Sequence, residues 1–104
     1  MTESSSTLYI DGEWVPSSDG GTRTITCPAD GTEVGVVAEA TAEDVERAIL
    51  AARKAFEART WVDTPAAQRG DFLIRVSDAL LERKDEFARA EALDTGKRLV
   101  EAEG

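Results

Sequence analysis

The chain has 104 residues, of which 12 are basic and 21 acidic, and its formal net charge is −9. This length fits one domain rather than two, and an acidic protein repels nucleic-acid phosphates, so we expect no nucleic-acid partner. The sequence contains no histidine and one cysteine, Cys27, which excludes an internal disulfide framework and a histidine-containing catalytic triad.

The first residues are small and polar, and residues 1–7 are predicted to be a disordered leader. They lack the basic start and apolar run of a signal peptide. No apolar stretch is long enough to span a membrane, so we expect no membrane partner. Together these features predict a cytoplasmic protein.

The first part of the chain is typical of short strands. Asp11-Gly12 favours a two-residue hairpin turn because both central residues take positive φ. Gly35 suggests a bulge or a close approach of another chain segment. The predicted strands are residues 8–10, 13–15, 22–26 and 33–38.

Beyond residue 40 the apolar period becomes helical. Thr41 is predicted to cap a helix with Asp44 completing a capping box, and Glu43 and Arg47 are spaced as an ion pair. Its apolar face comprises Val45, Ala48, Ile49, Ala52, Ala55 and Phe56. We therefore expect an amphipathic helix that needs a partner.

A second helix is predicted to begin with Thr64 as cap and Pro65 in the first turn. A third covers residues 84–94 and ends at Gly96, and a fourth begins at Lys97. The apolar residues expected to face inward are Phe72, Leu73, Val76, Ala79 and Leu80 in the second helix and Phe87, Ala90 and Leu93 in the third. The last helix has only about two turns, which is marginal alone, so we expect the native chain to continue. The predicted fold class is α/β, with three or four amphipathic helices.

Four ordered stretches carry a resemblance to a known family. They are Ile10-Asp11-Gly12-Glu13-Trp14-Val15, Pro28-Ala29-Asp30-Gly31-Thr32-Glu33-Val34, residues 40–56, and Glu91-Ala92-Leu93-Asp94-Thr95-Gly96-Lys97. With Trp61 and the helix start at residues 65–69 between them, they resemble the N-terminal segment of the NAD(P)-dependent aldehyde dehydrogenases. The resemblance covers about residues 8–103. Cys27 and Arg98 stand where the family usually has asparagine and often proline, as in its betaine-aldehyde-dehydrogenase-like branch.

The resemblance implies that residues 8–104 are an incomplete N-terminal part of a Rossmann-like coenzyme-binding domain. The parent enzyme would oxidise an aldehyde with NAD or NADP through a cysteine thiolate and a glutamate-activated water, and it would form a homo-oligomer, a dimer or a tetramer. No family catalytic or cofactor-binding residue matches a position here. We therefore expect the isolated chain to be inactive and to bind no cofactor.

The resemblance also suggests a monovalent cation site for K⁺ or Na⁺. The matching positions are Ile25, Thr26 and Asp94, and a hard cation prefers carbonyl and carboxylate oxygens. The remaining ligands would come from other sequence, so we expect weak or no binding by this chain alone. The structural alternative is that Glu91 and Asp94 anchor a helix end that Gly96 terminates.

Other chemistry-bearing residues have ordinary structural interpretations. Cys27 matches the turn motif rather than the family's nucleophile and has no histidine partner, so it is predicted to be a half-buried thiol. Gly20-Gly21 and the Gly31/Gly35 pair lack phosphate-loop spacing and are predicted to form turns. Trp14 and Trp61 are predicted to be packing residues. The alternative function is a stand-alone acidic helical interaction module without catalysis.

Overall fold

Residues 7–104 are described in the computed structural model of the chain, so the predicted leader lies, apart from Thr7, outside the described residues. Short strands come first and helices follow, which confirms the predicted α/β class. The elements are β1 (Leu8–Ile10), β2 (Glu13–Val15), β3 (Thr22–Thr26), β4 (Glu33–Ala38), α1 (Ala42–Glu57), α2 (Ala66–Glu82), α3 (Lys84–Thr95) and α4 (Leu99–Ala102).

The four strands form two separate antiparallel hairpins, β1–β2 and β3–β4. Asp11 and Gly12 both have positive φ, at 52° and 80°, which confirms the predicted turn. In the second hairpin Ile25 pairs with Gly35 but Thr26 pairs with Glu33, so the ladder has a bulge. This irregularity lies beside Gly35, where the sequence predicted one.

Helix α1 begins with the predicted capping box. The Thr41 hydroxyl accepts from the Asp44 backbone N–H at 3.2 Å, and the Asp44 carboxylate accepts from the Thr41 N–H at 2.9 Å. The predicted pairing of Glu43 with Arg47 is wrong, because the Arg47 guanidinium donates to Asp44 instead. The capping bonds hold the Asp44 carboxylate in place at the start of the helix. Asp44 lies three residues before Arg47, so its carboxylate is nearer to the guanidinium than that of Glu43 is.

The start of α2 differs from the prediction. Thr64 does not cap the helix, because its hydroxyl donates to the Thr60 carbonyl at 2.7 Å. Pro65 occupies the N-cap position rather than the first turn, and no side chain caps the helix. The last helix begins at Leu99, two residues later than predicted.

The interior of the described chain is small. Its buried apolar residues are Cys27, Val34 and Ala88. The accessible surface is 8026 Å², against about 5,700 Å² for a compact protein of this mass. The Cα radius of gyration is 17.1 Å, against about 13 Å for a compact domain of this length.

The helical faces predicted to point inward are largely uncovered. Phe72 and Phe87 are each 46% exposed, and Leu73 is 59% exposed. The prediction failed because it assumed that the helices cover one another, whereas their main contacts join only α2 to α3 and α3 to α4. Between residues 7 and 104, no helix is both long and apolar enough to cross a membrane.

Candidate functional site

The C-terminal end of α3 packs against the turn that follows β3. Gly96 ends the helix in the left-handed conformation, with φ at 77°, and its N–H donates to the Ala92 carbonyl at 2.9 Å. A Cβ at Gly96 would lie 3.1 Å from Pro28 Cγ and 3.3 Å from the Ala29 backbone nitrogen. Glycine is therefore needed here both for its φ and for close packing, and it joins two of the motifs singled out in the sequence.

A groove of about 530 Å³ runs between the β3–β4 hairpin and α3. Ile25 and Asp94, two of the three predicted cation ligands, lie on opposite walls of this groove. Thr26 is not part of its lining, because side chains alternate along β3 and those of Arg23 and Ile25 face the groove. The other lining residues are Arg23, Gly35, Val37, Phe87, Ala90 and Glu91.

Two acidic side chains of α3, Glu91 and Asp94, line the groove, and only one of them has a partner. Glu91 forms an ion pair with Lys97 across 3.0 Å, and its carbonyl accepts from the Thr95 hydroxyl at 2.8 Å. The Asp94 carboxylate makes no hydrogen bond or ion pair with any residue from 7 to 104. Glu91 therefore holds the helix end, as the structural alternative predicted, but Asp94, which that alternative also named, does not, and its carboxylate stays available.

The acidic side chains of the described residues do not converge elsewhere. No group of three or more histidine, cysteine, aspartate or glutamate residues between positions 7 and 104 could hold a metal ion. The ligands that the groove offers a cation are therefore backbone carbonyls and the carboxylates of Asp94 and Glu91, the oxygen atoms that hard cations take.

Cys27 lies directly after β3, and its side chain is buried. Its backbone N–H donates to the Thr32 carbonyl, and its carbonyl accepts from the Gly31 N–H, both at 2.8 Å. The residue closes the turn and is shielded from solvent, as a structural thiol is. The prediction that it is not a nucleophile agrees with this position, although the thiol is more buried than expected.

Gly20, Gly31 and the tryptophans have the predicted structural roles, whereas Gly35 lies within strand β4, so the prediction that it forms a turn is wrong. Gly20 and Gly31 have positive φ in two different turns, so they do not share a phosphate-binding loop. Trp14 packs on Tyr9 with ring centroids 4.8 Å apart, and Trp61 meets the edge of Phe72 at 5.6 Å. These aromatic side chains are part of local packing.

A second cluster, around the Asp44 carboxylate, was only partly foreseen. Asp44 is 1% exposed, and its Oδ2 accepts from the backbone N–H groups of Thr41 and Ser18 at 2.9 and 3.0 Å. These two bonds, with the Arg47 guanidinium, hold the pKa of Asp44 well below its usual range. The capping box was visible in the sequence, but the bond from Ser18, 26 residues away, had no local signal.

The Asp44 cluster is structural rather than catalytic. The Ser18 and Thr41 hydroxyls also lie 2.6 Å apart, so the loop before β3 is tied to the start of α1. Every buried side-chain nitrogen and oxygen atom among the described residues has a hydrogen-bond partner. The buried polar atoms of the cluster are thus all satisfied within the chain.

Comparison with known proteins identifies a single family. Residues 14–104 match the model of the aldehyde dehydrogenase family. A betaine aldehyde dehydrogenase of Bacillus subtilis is 37% identical over 98 residues, covering 94% of this chain and 20% of the relative. An alpha-ketoglutaric semialdehyde dehydrogenase of the same organism is 41% identical over 106 residues, covering 100% and 21%.

Solved structures agree with the sequence matches. The betaine aldehyde dehydrogenase of Staphylococcus aureus in complex with NAD⁺ superimposes with a TM-score of 0.88 at 45% identity, over 95% of this chain and 20% of that one. A double mutant of the same enzyme gives a TM-score of 0.90 at 44% identity, over 99% and 21%. The chain therefore spans about a fifth of the length of the relatives that it matches.

Proposed function

The chain belongs to the aldehyde dehydrogenase family, and from this premise we propose that it forms the N-terminal part of an NAD-dependent enzyme that oxidises an aldehyde to a carboxylic acid. The observation that carries the proposal is the family match over residues 14–104. In such an enzyme, residues 8–104 begin the coenzyme-binding domain. The stand-alone module is not favoured, because the relatives are enzymes that contain this segment within a longer chain.

The segment contributes architecture to this activity rather than chemistry. Its one thiol, Cys27, is buried in a turn, and the sequence has no histidine to act as a base. The described residues do not fit a dinucleotide either, since the glycines with positive φ belong to separate turns and helix ends. The nucleophile and the NAD-binding residues are therefore assigned to the rest of the parent enzyme.

The finer properties of the parent enzyme are part of the same proposal. Betaine aldehyde is the first substrate to test, because relatives in two bacteria are named for it. We assign the parent enzyme to the cytoplasm, which a buried free thiol fits because a reducing compartment preserves it. We also assign it a homo-oligomeric state, a dimer or a tetramer, which sedimentation of the full-length enzyme tests.

The central test is a segment exchange. Residues 8–104 replace the matching segment of the Staphylococcus aureus enzyme, to which the chain is 45% identical. We expect the chimera to oxidise betaine aldehyde with NAD⁺ at a rate within about tenfold of the parental rate, since about 1.4 kcal/mol in the barrier covers imperfect packing at the new junctions. Absorbance of NADH measures the rate.

The segment exchange has two controls. The S. aureus enzyme without the segment should be inactive, and the isolated 104-residue chain should neither reduce NAD⁺ nor bind it in calorimetry. A folded chimera that binds NAD⁺ but has no activity would contradict the proposal, as would NAD⁺ binding by the isolated chain.

We extend the proposal to a K⁺ or Na⁺ site formed by the Asp94 carboxylate and the backbone carbonyls of Ile25 and Thr26. Two observations support this site. Ile25 and Asp94 line the same groove, and the Asp94 carboxylate has no hydrogen-bond or ion-pair partner among residues 7–104. The Lys97 ammonium, held by Glu91 nearby, weakens cation binding by the isolated chain. The other ligands are assigned to the parent enzyme.

The cation assignment predicts a potassium-dependent stability of the chimera. Replacing N-methylglucamine by K⁺ at tenfold its dissociation constant should stabilise the chimera by about 1.4 kcal/mol, seen as a rise in melting temperature. Asp94→Asn should abolish the rise, while Glu91→Gln on the same helix should keep it. The assignment fails if Asp94→Asn retains the full shift, and the isolated chain should show none.

A further inference from the structure

We infer that α2 is an inner helix covered on two opposite sides, and that the polypeptide covering it is the part of an aldehyde dehydrogenase that follows this segment. We further infer that this part binds the chain without a covalent link. The inference rests on the proposed function, and it adds the docking surface and its mode of assembly.

The first observation is the distribution of apolar side chains around α2. At 100° per residue, Phe72, Val76 and Leu80 lie on one side of the helix, and Ile74 and Leu81 lie on the opposite side. Ile74 is 60% and Leu81 is 65% exposed, and α2 has no buried residue. A helix that is apolar on opposite sides belongs inside a protein, so one covering layer cannot satisfy it.

The chain itself provides little of this cover. Trp61 meets the edge of the Phe72 ring, which covers part of the first side, and α3 contacts α2 only in a small area. Helix α1 is also incompletely covered by the chain. On the side away from the β1–β2 hairpin, Ile49 is 62% and Phe56 is 76% exposed.

The exposed area indicates the size of the partner. The chain exposes roughly 2,300 Å² more surface than a compact protein of its mass. If a partner buries an equal area of its own, the interface totals about 4,600 Å², within the about 2,000–5,000 Å² that obligate interfaces bury over both partners. A small peptide or a transient partner would leave most of it uncovered.

A second copy of the chain does not fit these requirements. A two-fold dimer through one side of α2 would leave the other side exposed. Each copy also carries a net charge of −9, which opposes self-association. By contrast, the same backbone occurs at a TM-score of 0.88 within a chain about five times as long, so the remaining four fifths are large enough to cover both sides.

The test is assembly in trans. The 104-residue chain is co-expressed with a Staphylococcus aureus betaine aldehyde dehydrogenase that lacks its matching segment. We expect a stable complex with equal numbers of the two polypeptides by light scattering, and NAD⁺-dependent oxidation of betaine aldehyde that neither polypeptide has alone. The covalent chimera, assayed in parallel, separates this inference from the proposed function.

Paired substitutions on α2 locate the surface. Ile74→Ser with Leu81→Ser should weaken the complex by about 100-fold, because two side chains lose their apolar burial. Asp71→Ser with Asp78→Ser introduces the same residue at the same spacing on the polar side, and should leave the affinity within a few-fold. Circular dichroism checks that both variants keep their helices.

Three results would overturn the inference. One is the absence of a complex while the covalent chimera is active. Another is a discrete homodimer of the 104-residue chain that persists when the shortened enzyme is present. The third is affinity that is unchanged or equally reduced in the two paired variants, which would mean that apolar burial of the Ile74 and Leu81 side does not hold the complex together.

Discussion

Gly96→Ala is expected to lower the free energy of unfolding of the chimera by about 3 kcal/mol. Left-handed φ costs a residue with a side chain about 1–2 kcal/mol, and an extra methyl group in a packed contact adds about 1–3 kcal/mol. Both apply, because φ is 77° and the new Cβ would meet Pro28 and the Ala29 backbone nitrogen within 3.3 Å. The backbone nitrogen cannot move aside as a flexible side chain could.

Two other glycines provide matched controls for Gly96. Gly31→Ala has the same φ problem in open space, so it should cost only about 1–2 kcal/mol. Gly70→Ala, in an α2 position with open space around it, should stabilise the protein by up to about 1 kcal/mol. Urea unfolding of the three chimeras measures the order, and equal losses at Gly96 and Gly31 would show that the contact with the Pro28 turn is absent.

A consequence for the candidate cation site follows from the same contact. Gly96 holds the end of α3 against the turn after β3, and this junction sets the distance between Asp94 and Ile25 across the groove. Loosening it should therefore reduce the potassium-dependent shift in melting temperature along with stability. The site depends on packing as well as on its ligands.

Local chemistry in the sequence was enough to predict most elements. Asp11-Gly12 specifies a turn because both residues tolerate positive φ, and Thr41 with Asp44 specifies a helix start because each satisfies a backbone N–H. These signals depend on residues a few positions apart. Gly96 belongs to the same class, since its left-handed φ follows from the end of α3.

Competition between neighbouring polar groups limited the prediction. Thr64 could have capped α2, but its hydroxyl donates a hydrogen bond to the Thr60 carbonyl instead. Arg47 could have paired with Glu43, but Asp44 was already fixed nearby by backbone bonds. In both cases spacing allowed two partners, and only the three-dimensional arrangement decided between them.

Long-range contacts were beyond the sequence patterns. The periodicity of α2 identified an apolar face but not what covers it, and the chain itself leaves that face exposed. Likewise, Asp94 and Ile25 were brought together only by family resemblance, since 69 positions separate them. The groove between them depends on packing at Gly96 that no local pattern encodes.

Asp44→Asn is expected to destabilise the chimera at neutral pH, and this effect is expected to shrink as the pH falls below about 4. The Asp44 carboxylate uses Oδ2 for the Ser18 and Thr41 N–H groups and Oδ1 for Arg47. In asparagine one of these positions becomes an NH₂ donor, so either the two N–H groups or the guanidinium face another donor. Buried donors without an acceptor are costly, and the loop at Ser18 should detach from α1.

The pH dependence of the Asp44 effect has a definite sign. Hydrogen bonding holds the folded-state pKa of Asp44 below the ordinary value of 3.8, so the carboxylate contributes its full stability above that value. This contribution falls as the pH drops below about 4, because the unfolded chain then binds a proton that the folded chain resists. The difference between the original chimera and Asp44→Asn should therefore be largest at pH 7 and shrink from pH 4 towards pH 3.

Asp30→Asn is the matched control for Asp44→Asn. Asp30 also has a lowered pKa, caused first by the Thr32 hydroxyl, but its bonds are local and lie on an exposed turn. Its substitution should shift the urea midpoint less than that of Asp44, because water replaces the lost bonds. Hydrogen exchange of peptides that contain Ser18 should rise only in Asp44→Asn. Equal midpoint shifts in the two variants, or unchanged exchange at Ser18, would mean that the carboxylate does not tie the loop to α1.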